Sequence, residues 1–234
     1  MTLRRRDLAL GVVALSIAAL CVRLGVWQLH RLGERRERNA AIAAARALPP
    51  VELPVRHLTP EILRERRTVA RGAYDYDHER VWAGRTYEGV PGVALLTPLR
   101  LSDGSAVFVD RGWVPSPDGM HVDHRRFREG DSAAVAGLAL PLPRGRGDAD
   151  PDRLRDSLPY AVLPIVIRLD GAAVPHPAGL ARWPTPALDN GPHLSYAIQW
   201  FSFAAIAVVG TVLLLRNIST TSRGRVEEKR QGTS

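Results

Sequence analysis

The chain has very little cysteine and very little lysine. Cys21 is its only cysteine in 234 residues, which excludes an internal disulfide and any Cys-x-x-Cys redox or metal motif. Lys229 is the only lysine, so arginine carries nearly all of the positive charge. The sequence also lacks a Gly-x-Ser-x-Gly nucleophile motif, a phosphate-binding loop and a Gly-x-Gly-x-x-Gly motif. These motifs are typical of enzymes, and the sequence therefore does not favour an enzyme, including one that acts outside the cytoplasm.

Long apolar runs are present, and they lie near the two ends. Residues 194–215 form a run of 22 without a charge, and residues 8–29 form a run of the same length interrupted only by Arg23. A helix of that length is about 33 Å long, enough to cross the ~30 Å hydrocarbon core of a bilayer. The sequence predicts an α+β membrane protein with two transmembrane helices, residues 8–29 and 194–215.

The charge distribution predicts how these helices are oriented. Residues 1–7 carry a net charge of +2 and the tail, residues 216–234, carries +3. Basic residues next to a membrane span favour the cytoplasmic side. The first helix is ambiguous, because four arginines at residues 31–38 follow it, so the basic tail after the second helix decides that both termini are expected in the cytoplasm. Residues 30–193 then form an extracytoplasmic domain at the plasma membrane. Because the positive excess flanks the membrane spans, we expect no nucleic-acid binding.

The central domain has the pattern of a mostly β fold. Strands are predicted at residues 68–76, 79–87, 93–101, 105–109, 133–140 and 163–169. Asp103-Gly104 between two apolar runs indicates a hairpin. Loops are predicted at residues 89–92, and residues 111–115 are interpreted as a turn after the hairpin, with Gly112 supplying backbone freedom. Several short strands separated by turns are typical of a barrel or a sandwich.

Helical segments are predicted at both sides of this β pattern. Residues 34–47 consist of good helix formers and should continue the first membrane helix, while Pro60 should open a short helix. Small residues repeat at helical spacing along one face of each membrane helix, which permits close packing in lipid. They are Gly11, Ala14, Ala18 and Gly25 in the first helix, and Ala204, Ala207 and Thr211 in the second.

Two acidic or histidine-containing segments resemble metal sites but lack the full ligand set. His121-x-Asp123-His124 has no third ligand nearby in sequence, and a stable site needs three or four ligands. Residues 148–152 alternate Asp with other residues, but the position of the twelfth calcium-loop ligand is Pro159. We interpret both as solvated loops, the second within a charged loop at residues 144–156.

Polar and aromatic residues cluster where the two predicted membrane helices meet the outer boundary. An aromatic belt explains the Trp and Tyr residues. Such a belt does not account as well for two glutamines and a histidine at the same depth. A haem would suit them, because His can ligate iron, aromatic rings can pack the macrocycle and Arg can pair with propionates. The candidate site residues are His193, Tyr196, Gln199, Trp200, Trp27, Gln28 and Arg31, with His193 as the candidate iron ligand.

Three segments together resemble the Surfeit-locus-1 (Surf1-like) family. The first is Leu24-Gly25-x-Trp27-Gln28-Leu29-x-Arg31. The second runs from Gly92-Val93-x-Leu95-Leu96-Thr97-Pro98-Leu99 to Val109-Asp110-Arg111-Gly112-Trp113-Val114-Pro115. The third is His193-Leu194-x-Tyr196-Ala197-x-Gln199-Trp200-Phe201. They occur in the expected order, and the resemblance spans roughly residues 8–215.

The resemblance implies a non-enzymatic assembly factor for a haem-copper terminal oxidase, cytochrome c oxidase in particular. It implies the lipid bilayer, oxidase subunits and haem synthase as partners. Some bacterial members look like carriers of haem a, and the histidine implicated there corresponds to His193. The alternative is a membrane-anchored structural domain that serves another complex of the cell envelope.

Overall fold

The structure is a computed structural model that describes residues 5–55, 59–142, 157–169 and 176–231. The predicted charged loop at residues 144–156 lies outside the described residues. The chain forms two compact units. We call residues 1–40 with 189–234 the helical unit, and residues 41–188 the barrel unit.

The helical unit is built from two long helices, α1 (Arg5–Ala47), which continues into the barrel unit, and the C-terminal helix, α3 (His193–Gln231). Both contain a stretch long and apolar enough to cross a membrane, within Ala9–Ala47 and His193–Arg216. The predicted extension of the first helix is confirmed, because α1 continues through residue 47 before two prolines follow. Most large apolar side chains on both helices are exposed, as expected for surfaces that face lipid.

Three of the small residues that the sequence analysis identified lie buried on these helices, whereas a Cβ atom on Gly11 would meet no atom within 4 Å. Ala18 and Gly25 on α1 and Ala204 on α3 are buried. A Cβ atom on Gly25 would come within 2.8 Å of the Phe201 ring, so the absence of a side chain there admits the aromatic ring of α3. Close backbone approach of this kind provides the van der Waals contact that holds helices together without a hydrophobic driving force.

The barrel unit contains seven strands joined by short helices. The strands are β1 (Val51–Leu53), β2 (Arg67–Tyr74), β3 (Arg80–Tyr87), β4 (Val90–Arg100), β5 (Ala106–Pro115), β6 (Ser132–Pro141) and β7 (Val162–Leu169). A short helix, α2 (Pro60–Leu63), opens at the proline as predicted, and 3₁₀ helices cover Tyr76–His78 and His124–Phe127.

Five of the strands close into a barrel. The sheet order is β1-β2-β6-β7-β5-β4-β3, and an additional pairing between β2 and β4 completes the ring β2-β6-β7-β5-β4. That pairing joins Ala73 with Arg100 and Tyr74 with Leu99. Most pairs are antiparallel, but β5 runs parallel to β7 and β1 runs parallel to β2. The structure therefore selects the barrel over the sandwich.

Alternating residues of the strands fill the barrel with apolar side chains. On β5, Val107 and Val109 belong to the main core, whereas Phe108 between them packs in a second cluster outside it. On β7, Ile165 and Ile167 point into the main core in the same way. This period of two follows from the pleat of the strand, which sends successive side chains to opposite faces.

The predicted hairpin between β4 and β5 is confirmed. Gly104 has φ +85°, a conformation that glycine adopts without steric cost. The Asp103 carboxylate accepts hydrogen bonds from the backbone N–H and the hydroxyl of Ser105, at 3.0 and 2.6 Å. The turn is thus fixed by its own side chains.

Two loop predictions are wrong. Residues 111–115 belong to β5 and form no turn, and β4 already begins at Val90 within the expected loop. Leu95 pairs with Gly112 but Leu96 pairs with Asp110, so Arg111 is the extra residue of a β-bulge. Gly112 has φ +131°, which confirms its predicted backbone freedom but places it in a strand. Because of the bulge, β5 continues through residues 111–115, whose local sequence is typical of a turn.

Candidate functional site

His193 is the first residue of α3 and contacts α1 in the helical unit. Its Nδ1 lies 2.8 Å from the side-chain oxygen of Gln28. An amide oxygen only accepts hydrogen bonds, so Nδ1 carries the proton and donates it to Gln28. Nε2 then keeps its lone pair, which is the form of imidazole that binds a metal. Sequence reasoning placed these two residues at one depth, and the structure brings them into contact.

The segment before His193 leaves one edge of the imidazole open. Gly191 has φ +70°, and a Cβ atom there would lie 3.5 Å from Nε2 of His193. Among the described residues, no hydrogen bond or ion pair is made by that nitrogen. The arrangement leaves a lone pair accessible beside the helix start.

Two polar residues of α1 hold this segment in place. Arg35 donates from Nε to the carbonyl oxygen of Asp189 at 3.0 Å. Asn39 donates to the same oxygen at 3.1 Å and to the side-chain oxygen of Asn190 at 3.0 Å. Sequence reasoning missed both residues, although they follow Gln28 at seven and eleven positions and therefore lie on its helical face.

Several of the other candidate residues are exposed or have other partners. Trp27 is 52% exposed and Tyr196 is 47% exposed. Gln199 lies six positions after His193, about 240° around the helix, and faces away from it. Arg31 pairs with Glu34 at 2.5 Å on the surface, and the half-buried Trp200 packs edge-to-face on Phe203.

Among these residues, His193 is the one that would hold the iron of a haem. The donor chemistry of His193 is suitable, and Tyr196 and Trp200 follow it on the same side of α3. An open groove in the helical unit is instead lined by Val26, Leu29, His30, Gly33, Glu34 and Glu37 of α1. His193 does not line this groove.

The barrel unit contains a buried charge network that sequence reasoning missed. The fully buried Arg111 side chain pairs with Glu79 at 2.5 Å and with Glu129 at 3.4 Å. It also donates from Nε to the Thr97 hydroxyl at 2.7 Å and from Nη1 to the Phe127 carbonyl oxygen. Arg111 follows Val107 and Val109 at the period of two that sends their side chains into the core. Sequence reasoning could not single it out, because arginine is common throughout the chain.

A second arginine balances the charge of this network. Arg182 pairs with Glu129 at 2.8 Å and donates to the carbonyl oxygen of Arg111. Two guanidinium groups thus face two carboxylates, Glu79 and Glu129, in a region with little solvent. Pairing of this kind is what makes buried charge tolerable, because an unpaired ion would retain its full desolvation cost.

The neighbouring residue of the bulge, Asp110, has its own partners. Its carboxylate lies 3.2 Å from Nε of Arg168 and accepts a hydrogen bond from the Trp183 indole at 3.1 Å. Burial raises the pKa of Asp110, and the nearby Arg168 opposes that shift. Trp113 packs on Tyr87 with ring centroids 5.5 Å apart.

The histidines that resembled metal ligands do not form a common site. His121 pairs with Asp118 at 2.7 Å on the surface, whereas His124 lies 2.9 Å from the buried carboxylate of Glu79. Within the part of the chain that the structure describes, no three His, Cys, Asp or Glu side chains are arranged to hold a metal ion.

The chain thus has two apolar helices long enough to cross a membrane, and a β-barrel domain lies between them in sequence. This arrangement defines the class of the protein. The profile of the SURF1 family matches residues 15–205, and the chain belongs to that family. It is 30% identical to uncharacterized SURF1-like proteins of Mycobacterium tuberculosis and Mycobacterium bovis, over 89% of this chain and 83% of each relative. It is 25% identical to a SURF1-like protein of Monosiga brevicollis, over 86% of both chains.

Proposed function

We propose that this protein is a non-enzymatic assembly factor for a haem-copper terminal oxidase. The supporting observation is family membership over residues 15–205, because proteins of the SURF1 family generally serve in oxidase assembly. The described buried carboxylates of the barrel unit agree with a structural role. Glu79, Asp110 and Glu129 each face an arginine, so they are engaged in holding the fold.

The protein would act from the membrane with its barrel unit outside the cytoplasm. Its two apolar helices would cross the plasma membrane, and the basic tail after residue 215 would remain in the cytoplasm. The exposed apolar surface of α1 and α3 would contact lipid. The partners would be oxidase subunits. Haem synthase would be a further partner in the delivery of the cofactor.

The finer proposal is that His193 ligates the iron of haem a during delivery. Gln28 would fix the tautomer of His193, since it accepts the Nδ1 proton and leaves Nε2 as the ligand atom. Arg35 and Asn39 would act as positioning residues through the segment before the histidine. A bound haem would supply the iron and the macrocycle, and Tyr196 and Trp200 would provide surface for the latter.

A deletion strain tests the assembly role. Loss of the reduced haem a absorbance band, restored by the wild-type gene, is expected if oxidase assembly needs this protein. An oxidase of normal level and activity in the deletion strain would overturn the proposal and favour service to another envelope complex.

A pair of histidine variants tests the haem proposal separately. The protein purified from a host that makes haem a should show a haem spectrum that His193→Ala abolishes and Gln28→Ala weakens. His30→Ala is the matched control, because His30 is an exposed histidine of α1. Equal haem content in all four proteins would exclude His193 as an essential ligand but leave the assembly role standing.

A further inference from the structure

A cleft on the barrel unit has the composition of an anion-binding site. It lies between the two 3₁₀ helices and has a volume of about 450 Å³. Its lining residues are Tyr76, Asp77, His124, Arg125 and Arg128. Two guanidinium groups and an imidazole thus face a single carboxylate.

The cationic groups of the cleft are only weakly neutralised by the protein. The Asp77 side chain is 92% exposed, and its carboxylate lies 3.9 Å from Arg128, at the limit of an ion pair. Arg125 makes no hydrogen bond or ion pair with any described residue. An exposed pair at such a distance contributes little attraction, so the cleft keeps an excess of positive charge.

The walls of the cleft are held by buried structure. The Arg128 guanidinium stacks over the Tyr76 ring at 4.9 Å, and Arg111 lies 5.2 Å from the same ring. The Tyr76 hydroxyl donates to the carbonyl oxygen of Gly130 and accepts from the backbone N–H of Glu129, both at 2.9 Å. The ring under Arg128 is therefore fixed at its far end.

The imidazole in the cleft lies next to the buried charge network. Nδ1 of His124 lies 2.9 Å from the buried carboxylate of Glu79, which is itself held by Arg111. The buried layer behind it contains two carboxylates and two guanidinium groups, so it does not cancel the positive charge in front.

From this arrangement we propose that the cleft between the two 3₁₀ helices binds a phosphate group. Guanidinium groups match the oxygens of phosphate with paired hydrogen bonds, and a stacked, preorganised arginine loses little entropy when it binds. The phosphate is either a free anion or the phosphodiester of an anionic lipid headgroup. The proposal involves none of the candidate haem residues and does not depend on the proposed haem role.

Calorimetry on the full-length protein in a maltoside detergent tests this proposal. Inorganic phosphate and glycerophosphoglycerol, the soluble headgroup of phosphatidylglycerol, are titrated at constant ionic strength. Arg125→Gln and Arg128→Gln should each raise the Kd by about tenfold, the typical loss of a charge-assisted hydrogen bond. Arg126→Gln is the control, because this exposed neighbour does not line the cleft.

The two titrants distinguish the source of the phosphate group. Saturable binding of inorganic phosphate alone assigns the cleft to a free anion, and tighter binding of glycerophosphoglycerol assigns it to a lipid headgroup. Absence of saturable binding of either compound, or equal affinity in wild type, Arg125→Gln and Arg128→Gln, would overturn the proposal. Thermal unfolding of each variant verifies that the fold is retained.

Discussion

The guanidinium of Arg111 and the carboxylate of Glu79 lie 2.5 Å apart, and neither side chain has any exposed surface. Arg111 lies in β5 and Glu79 immediately precedes β3. The Glu79 carboxylate also accepts a hydrogen bond from the Thr97 hydroxyl of β4. The ion pair thus links β5 and β4 with the segment that leads into β3. Its strength depends on both partners being present, since either one alone would be a buried and unpaired ion.

Replacement of Arg111 by Met should therefore destabilise the barrel unit strongly. We expect a loss of about 3–5 kcal/mol in the free energy of unfolding, because Glu79 would remain buried without its partner. Guanidinium denaturation of the full-length protein, followed by tryptophan fluorescence, measures this loss. Arg71→Met is the control, as this exposed arginine of β2 lies at the surface. The Glu79→Met/Arg111→Met double variant should recover part of the stability, and the role assigned to the pair fails if it does not.

Gly112 should tolerate no side chain. Its φ of +131° is essentially restricted to glycine, and a Cβ atom would lie 2.3 Å from the carbonyl oxygen of Ala181. Gly112→Ala is expected to cost more free energy of unfolding than Gly104→Ala. At Gly104 the positive φ costs about 1–3 kcal/mol, but no atom lies within 4 Å of the added Cβ. Equal losses in the two variants would contradict the steric argument.

Tyr74 should make the stability of the barrel unit fall at high pH. Burial, with a smaller effect of the Glu129 carboxylate, raises the pKa of the phenol above its ordinary value of 10.0. Above pH 10 the unfolded chain loses this proton while the folded protein retains it, so stability decreases by up to roughly 1.4 kcal/mol per pH unit. Tyr74→Phe should show a shallower decrease between pH 10 and 11. The difference in the free energy of unfolding between wild type and Tyr74→Phe should be constant from pH 7 to 9. If the two stability curves stay parallel above pH 10, the prediction is refuted.

Gly25 should control the packing of α1 on α3. Gly25→Leu would place several atoms where the Phe201 ring lies, whereas Gly11→Leu adds a side chain with no atom within 4 Å of its Cβ. The contacts Gln28–His193 and Gly25–Phe201 show that the helices are antiparallel, which places Cys21 opposite Ala204. Disulfide crosslinking of Cys21 with Ala204→Cys should be efficient, and Gly25→Leu should lower it. The packing interpretation is wrong if Gly11→Leu lowers the yield equally.

The helices could be predicted because their signals are local. Length and lack of charge identify an apolar helix without reference to the rest of the chain, and small residues at helical spacing identify the packing face. The Asp103-Gly104 hairpin is local in the same sense, because its turn is closed by hydrogen bonds within a few residues. Six of the seven described strands were predicted from their patterns, but β1 was missed and β5 continues six residues beyond its predicted end at Val109.

The candidate site was predicted only in part. His193 and Gln28 were both selected, but 165 positions separate them, and only the packing of α1 on α3 makes them partners. The same packing turns Gln199 away and leaves Trp27 exposed. The roles of these residues in haem binding stay predictions.

The sequence by itself determined two long apolar helices, a β-rich middle and the histidine that begins the last helix, because each depends on residues close together in the chain. The tertiary structure alone decided that the strands form a barrel, since closure requires β2 to pair with β4. It also decided the burial of Arg111. Its side chain lies on the same face of β5 as Val107 and Val109, but its charge is tolerated there only because the fold brings Glu79, Thr97 and Glu129 to it from distant parts of the chain.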